Sequence, residues 1–281
     1  MKGHPVWLKR PAPSAASLSR MESMLSRLKL ATVCQSAQCP NIGECFHRGT
    51  ATFMILGDRC TRNCRFCAVP HTTAPLMPDD KEPMHVAQAV KAAGLSHVVI
   101  TSVTRDDLPD GGAGHFVSTV EAVRKRSPES TVELLIPDFK GEQSSVEAIC
   151  RVWPDVFNHN VETVPRLYRE IRPQADYARS LTVLSQAAEA GLRTKSGLML
   201  GLGETASELE NVFQDLVASG CRILTMGQYL APSRDHAPVR RYIPPEEFDM
   251  LASVARKTGF EHVFAGPFVR SSYRAEELLS K

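Results

Sequence analysis

Runs of β-branched and aliphatic residues recur along this chain, with helix-type patterns in the intervals. The runs are 51–57 (ATFMILG), 97–103 (HVVITSV), 131–137 (TVELLIP), 155–162 (DVFNHNVE), 193–201 (RTKSGLMLG) and 222–230 (RILTMGQYL). They are mostly continuous rather than alternating, as strands covered on both faces tend to be. Between them, residues 82–94 predict a helix stopped by Gly94. Residues 204–220 give the clearest helix. Thr205 and Glu208 form a capping box, Gly220 ends it, and Leu209, Val212, Phe213, Leu216 and Val217 line one face. Further helices are expected near 115–126, 142–152, 178–190 and 246–258. Strand–helix units in succession imply parallel strands joined by right-handed crossovers. Six such units predict an α/β fold, a partial (β/α)6 barrel of the TIM type open on one side. A doubly wound flat sheet is the alternative. The barrel is assigned to residues 51–235, with an N-terminal extension over 1–50 and a C-terminal extension over 236–281, all one compact unit. Polar residues at the strand ends put the site at the C-terminal mouth.

Composition narrows the partners. At 281 residues and 43% hydrophobic, the chain can bury a large core. Its 33 basic and 31 acidic residues nearly cancel, so charge gives no case for nucleic acid or a membrane surface. No apolar run reaches the roughly 18 residues of a spanning helix. The first 20 residues are basic and Ser-rich but lack the apolar stretch of a secretory signal. Trp7 and prolines 5, 11 and 13 also interrupt the amphipathic helix of a transit peptide. The segment reads as an irregular arm on a cytoplasmic protein.

Six of the eight cysteines fall in two sets, Cys34-x4-Cys39-x5-Cys45 and Cys60-x3-Cys64-x2-Cys67. A disulfide framework suits small secreted domains, which this chain is not. Structural zinc takes four ligands in close pairs, whereas each set here holds three, and only Cys64 and Cys67 have the two-residue gap. Three thiolates with one vacancy suit a cubane iron–sulfur cluster whose fourth iron stays open. Cys150 and Cys221 read as packing residues. His47, His71, His97, His115 and His159 show no metal-site spacing with one another.

The CxxxCxΦC set after the first strand resembles the radical S-adenosylmethionine superfamily. There the cofactor's amino and carboxylate groups chelate the open iron, and electron transfer yields methionine and a 5′-deoxyadenosyl radical. Other stretches fit at the expected strands. By resemblance, Phe66 offers a face to the purine, and GLMLGLGE (197–204), which includes Met199, lies beside adenine. Gln228 and Tyr229 are adenine-edge candidates. Asn160 and Glu162 would meet ribose hydroxyls, and Lys195 the methionyl carboxylate. A structural hydrogen bond is the plain alternative for each polar residue.

The first cysteine set, the RSSY at 270–273, RDDLPDGGAGHF (105–116), NHNVETV (158–164) and TKSGLMLGLGE (194–204) together resemble the lipoyl synthase family, from Trp7 to Tyr273. The resemblance implies two [4Fe–4S] clusters. One, on Cys60, Cys64 and Cys67, generates radicals from S-adenosylmethionine. The other, on Cys34, Cys39, Cys45 and a serine of the RSSY motif, is the sulfur source. It favours Ser272 over Ser271, which the residues alone do not separate; a helix N-cap is the plain role for either. A serine oxygen matches sulfide-bound iron poorly and should release more readily than a thiolate.

The implied substrate is an octanoyl-lysine on a carrier domain, a glycine cleavage H protein or a dehydrogenase E2 subunit, with sulfur inserted at C6 and C8. Unactivated methylene C–H bonds offer no acidic proton, so no side-chain base is nominated and the cofactors carry the chemistry. The resemblance also implies a flavodoxin or ferredoxin reductant and an iron–sulfur carrier that rebuilds the spent cluster. A methylthiotransferase acting on RNA is the rival enzyme, but no basic tail or spare domain is present for RNA. An iron–sulfur electron carrier would not need the strand–helix units that follow the clusters.

Overall fold

The computed structural model describes residues 5–8, 22–36, 39, 41–47, 52–272 and 275. Most of the predicted N-terminal arm and Tyr273 lie outside the described residues. The six continuous apolar runs all form strands: β2 (Thr52–Ile55), β3 (His97–Ser102), β4 (Thr131–Leu135), β5 (Val156–Asn158), β6 (Thr194–Leu200) and β7 (Ile223–Gln228). Two more flank them, β1 (Ala31–Thr32) and β8 (His262–Gly266). Strands β2 to β8 pair in chain order, all parallel, and β1 runs antiparallel to β2. An order that never turns back has no topological switch point, which removes the doubly wound alternative. The sheet is not closed, because β1 and β8 remain its edges.

The parallel set holds one strand more than predicted. β8 falls in the segment assigned to the C-terminal extension, so the barrel reaches beyond residue 235. It is an edge strand whose residues, Val263 apart, are only half-buried. It therefore lacks the continuous apolar run that reveals a covered strand.

The helices follow their local signals. Helix Glu82–Ala93 stops at left-handed Gly94, whose N–H bonds back to the last turn. Helix Ala206–Ala218 opens with the predicted capping box, the Thr205 side chain accepting from the Glu208 N–H and Glu208 answering at the Thr205 N–H. Helices Ala113–Arg126, Gln143–Val152, Tyr177–Glu189 and Pro245–Thr258 complete the crossovers. Their apolar faces meet the sheet in two groups. Val86, Val90, Phe116, Val120 and Val123 pack on β2–β4. Leu209, Val212, Phe213, Leu216, Phe248 and Ala255 pack on β6 and β7. Each fully buried aliphatic or aromatic side chain contributes roughly 1.5–3 kcal/mol.

Inside the sheet, the covered strands carry a buried polar group. Lys195 Nζ on β6 donates to both oxygens of Glu133 on β4, at 2.9 and 3.0 Å. Asn158 Nδ2 on the intervening β5 donates to Glu133 Oε1 at 2.7 Å. All three side chains are sealed from solvent.

Candidate active site

The segment after β2 carries Cys60, Cys64 and Cys67 and is fixed from three sides. The Thr61 N–H donates to the Thr104 carbonyl beyond β3 (3.0 Å), that of Arg65 to Ile171 beyond β5 (2.8 Å), and that of Ala237 to Arg65 from beyond β7 (2.8 Å). His236 Nε2 donates to the Cys67 carbonyl at 3.1 Å. Cys60 Sγ accepts from the N–H groups of Arg62 (3.4 Å) and Thr104 (3.3 Å). Arg62, inside the Cys60–Cys64 spacer, is buried. Its Nε and Nη2 donate to Asp106 at 2.7 and 2.9 Å, and Nη2 also to Asp138 at 2.6 Å. Burial works against the Asp138 charge, but Arg62 outweighs it and holds the carboxyl down at about 2.

The donor set fits the implied cluster. All eight cysteines are free. Burial pushes the Cys67 thiol up to about 12 and the Cys64 thiol in the same direction, with mutual repulsion among Cys60, Cys64 and Cys67 adding to it. Thiols so placed become thiolates only with a cationic partner such as iron. A cubane gives each thiolate its own iron, so its ligands stand apart rather than converging on a point. Among the described residues, no three His, Cys, Asp or Glu side chains are placed to hold a single metal ion.

The second cysteine set is tied to the C-terminal segment through Asn41. Cys34 lies on helix Val33–Ser36 after β1, and Cys45 on helix Ile42–His47. The Cys39 N–H donates to the Cys34 carbonyl and that of Cys45 to Asn41. Burial pushes the Cys34 thiol up to about 11. Asn41 Nδ2 donates to the Phe268 carbonyl at 2.7 Å, tying this set to the segment after β8. That segment lies directly on two glycines. A Cβ at Gly227 would collide with the Val269 carbonyl, and one at Gly197 would stand 2.9 Å from Ser271 Oγ and 2.7 Å from Asn160 Oδ1. Ser271 Oγ accepts from Asn160 Nδ2 at 2.6 Å, and Ser272 follows in the same turn, half-buried.

The residues expected at the cofactor divide into two groups. Asn160 and Glu162 stand together beyond β5, Nδ2 of the first donating to Oε1 of the second at 3.0 Å. Asn160 Oδ1 is buried without a partner. Burial raises the Glu162 carboxyl. Phe66 and Met199 are half-buried against the β6–β7 core and keep an accessible face. Three others are committed elsewhere. Lys195 is locked onto Glu133, near the start of β6 and away from the mouth. Gln228 Nε2 reaches the carbonyls of Leu200, Tyr229 and Arg241, and its Oε1 accepts from the Ile243 N–H. Tyr229 is buried with its hydroxyl on the Ala237 carbonyl at 2.8 Å. These contacts join β7 to residues 237–243 and leave neither side chain open to a ligand. Glu204 of the glycine-rich stretch accepts from the Gly201 and Leu202 N–H groups, which shapes the turn after β6.

Sequence reasoning passed over Arg172. Its guanidinium is buried, with Nη1 donating to the carbonyls of Asn160 (3.0 Å) and Val161 (3.1 Å) and to the Tyr168 hydroxyl (3.1 Å). Its Nε has no partner, and no carboxylate among the described residues pairs with it. It interacts electrostatically with Cys64 and Glu162. No sequence motif marked it, because it acts by position beside Ile171, the residue that holds Arg65.

Fold and cysteine loop together define a radical SAM protein, and the Radical SAM superfamily model matches residues 54–216. Full-length likeness is narrower. A lipoyl synthase of Pelodictyon phaeoclathratiforme is 53% identical over 278 residues, 99% of this chain and 95% of that one. One of Chlorobium chlorochromatii is 51% identical over 273 residues, covering 97% and 93%. The chain belongs to the lipoyl synthase family. Among solved structures, HydG, a maturase of the [FeFe]-hydrogenase, shares the fold with a TM-score of 0.60 at 16% identity, over 90% of this chain and 68% of that one. Among the described residues, no helix is long and apolar enough to cross a membrane.

Proposed function

We propose that this chain is a cytoplasmic lipoyl synthase that inserts sulfur at C6 and C8 of an octanoyl group amide-linked to a lysine of a carrier domain. The observation that supports it most is the match to lipoyl synthases at 51–53% identity, which spans both cysteine sets and the serines. When bound, S-adenosylmethionine and one [4Fe–4S] cluster supply the hydrogen-abstracting radical, and a second cluster supplies sulfur. Cys60, Cys64 and Cys67 hold the first, and Cys34, Cys39, Cys45 and Ser272 the second. Asn160 and Glu162 orient the cofactor's polar groups, and Phe66 and Met199 cover its apolar faces. The segment after β8 sits over the mouth at Gly197 and Gly227, where it shields the reacting chain from water. A carrier of the H-protein or E2 kind presents the substrate, a flavodoxin or ferredoxin reduces the enzyme, and an iron–sulfur carrier restores the consumed cluster.

The test is anaerobic turnover with an octanoylated carrier domain, read by mass spectrometry. Replacing Cys60, Cys64 and Cys67 by alanine should leave one cluster and abolish 5′-deoxyadenosine formation. Replacing Cys34, Cys39 and Cys45 should leave 5′-deoxyadenosine formation and abolish lipoyl product. Loss of both clusters in either triple variant, or equal turnover of free octanoic acid, counts against this reading.

A further inference from the structure

Four cationic side chains are buried among the described residues, and three of them are neutralised. Arg62 is held by Asp106 and Asp138, Arg105 by Asp107, and Lys195 by Glu133. Arg172 differs. Carbonyls and a phenol hydroxyl hold its Nη1, which fixes the guanidinium without cancelling its charge. The Tyr168 ring adds its face, 5.3 Å from the guanidinium carbon. Its Nε is sealed from solvent without a partner. The backbone then sets the position: the Arg65 N–H bonds to Ile171, so the residue after Cys64 is joined to the residue before Arg172. A buried cation without an ion pair is costly unless nearby anionic groups answer its charge. Two such groups interact with Arg172 without pairing with it: Glu162, whose carboxyl burial pushes toward the neutral form, and Cys64 of the thiolate loop.

We propose that Arg172 is a positioning residue that raises the reduction potential of the cluster on Cys60, Cys64 and Cys67, as a fixed buried positive charge beside the Cys64 ligand. The inference rests on the functional reading above, which puts a cluster on this loop. Reduction adds one electron, and so one negative charge, to a site already carrying three thiolates. A nearby cation in a low-dielectric interior stabilises the reduced form more than the oxidised one. Arg62 is closer along the chain but acts as a strut, because its two carboxylates cancel it.

The measurement is an EPR-monitored redox titration of the full chain with both clusters, without S-adenosylmethionine. A Cys34/Cys39/Cys45→Ala background assigns the signal. Arg172→Gln should keep its iron and sulfide yet lower the midpoint by at least 59 mV, a tenfold change in a one-electron equilibrium. Arg172→Lys keeps the charge and should shift it less. An unchanged potential in Arg172→Gln overturns the proposal, as does Arg172→Lys shifting as far as Arg172→Gln. So does an unchanged potential with a tenfold loss of S-adenosylmethionine affinity, which would make Arg172 a cofactor anchor. If Arg172→Gln holds no cluster, Arg172→Met, which leaves no buried amide, is judged by the same criterion. Failure of both to hold iron overturns the assignment in favour of a role in assembly. A wild-type chain with no reducible cluster on this loop defeats the functional reading itself, and is told apart because no variant is needed to see it.

Discussion

Lys195→Met separates a structural lysine from a cofactor-binding one. The variant leaves Glu133 fully buried, with Asn158 Nδ2 as its remaining close donor and His97 Nε2 at 3.8 Å. Breaking a buried pair by removing one partner costs about 3–5 kcal/mol, because an uncompensated charge stays behind. For a chain of this size that lowers the melting temperature by on the order of 10 °C. The double variant Lys195→Met/Glu133→Gln removes both charges and should recover much of the loss, so that it is less destabilised than the sum of the two single variants.

The pH dependence adds a second check. In the wild type, burial opposes the Glu133 charge but Lys195 and His97 outweigh it, so the folded carboxyl sits below its ordinary value. That contribution is present above the unfolded pKa of about 4.3 and lost as pH falls through the folded value. Without Lys195, burial dominates and the folded pKa rises above the unfolded one. The sign then reverses, and the deficit of Lys195→Met should narrow as pH falls from 8 toward 5. Denaturant unfolding of metal-free protein at several pH values measures this. A variant as stable as wild type that no longer binds S-adenosylmethionine would refute the reasoning and return Lys195 to the cofactor.

Three other outcomes follow from named contacts. Burial, and then Arg172, hold His159 down at about 4. The unfolded chain therefore binds a proton first, and about 3 kcal/mol of stability present above pH 6.5 should be lost by pH 4; His159→Gln should flatten that stretch of the unfolding profile, and an unaltered profile tells against it. Asn41→Ala removes the bond to Phe268, so it should cost about 1 kcal/mol and speed amide exchange at 267–272 without changing the Cys60–Cys67 loop; equal exchange in both proteins sinks the idea that this bond anchors the segment. Ser272→Ala should still cleave S-adenosylmethionine but form no lipoyl product, Ser272→Cys should keep its cluster and stall in sulfur insertion, and Ser271→Ala should be milder, weakening cofactor binding a few-fold through Asn160. A dead Ser271→Ala beside an active Ser272→Ala would reverse the choice of ligand.

The parts of this molecule that could be read from the chain are those whose physics is local. A strand covered on both faces must be apolar throughout, so β2 to β7 announced themselves. A capping box needs two residues three apart, so Thr205 and Glu208 were legible. Thiolate ligands need cysteines, so both sets were visible in their spacing. β8 was hidden because an edge strand with half-buried residues carries no such run.

The polar residues expected at the cofactor were legible only as chemical types, because what each side chain does depends on what the fold brings against it. Lys195, Gln228 and Tyr229 had the right chemistry for a cofactor, yet Glu133, 62 positions away, and the segment 237–243 claim them first. Arg172 shows the converse. Nothing in its neighbours along the chain suggests a site, and its importance comes from lying where the β5 and β2 loops join, its Nε without a partner and no carboxylate among the described residues in an ion pair with it. Neutralisation is thus the property that sorts the buried cations. Where a carboxylate answers the charge, as for Lys195 and Arg62, the pair holds strands and loops in register. Where none does, the charge is left to act on whatever occupies the mouth.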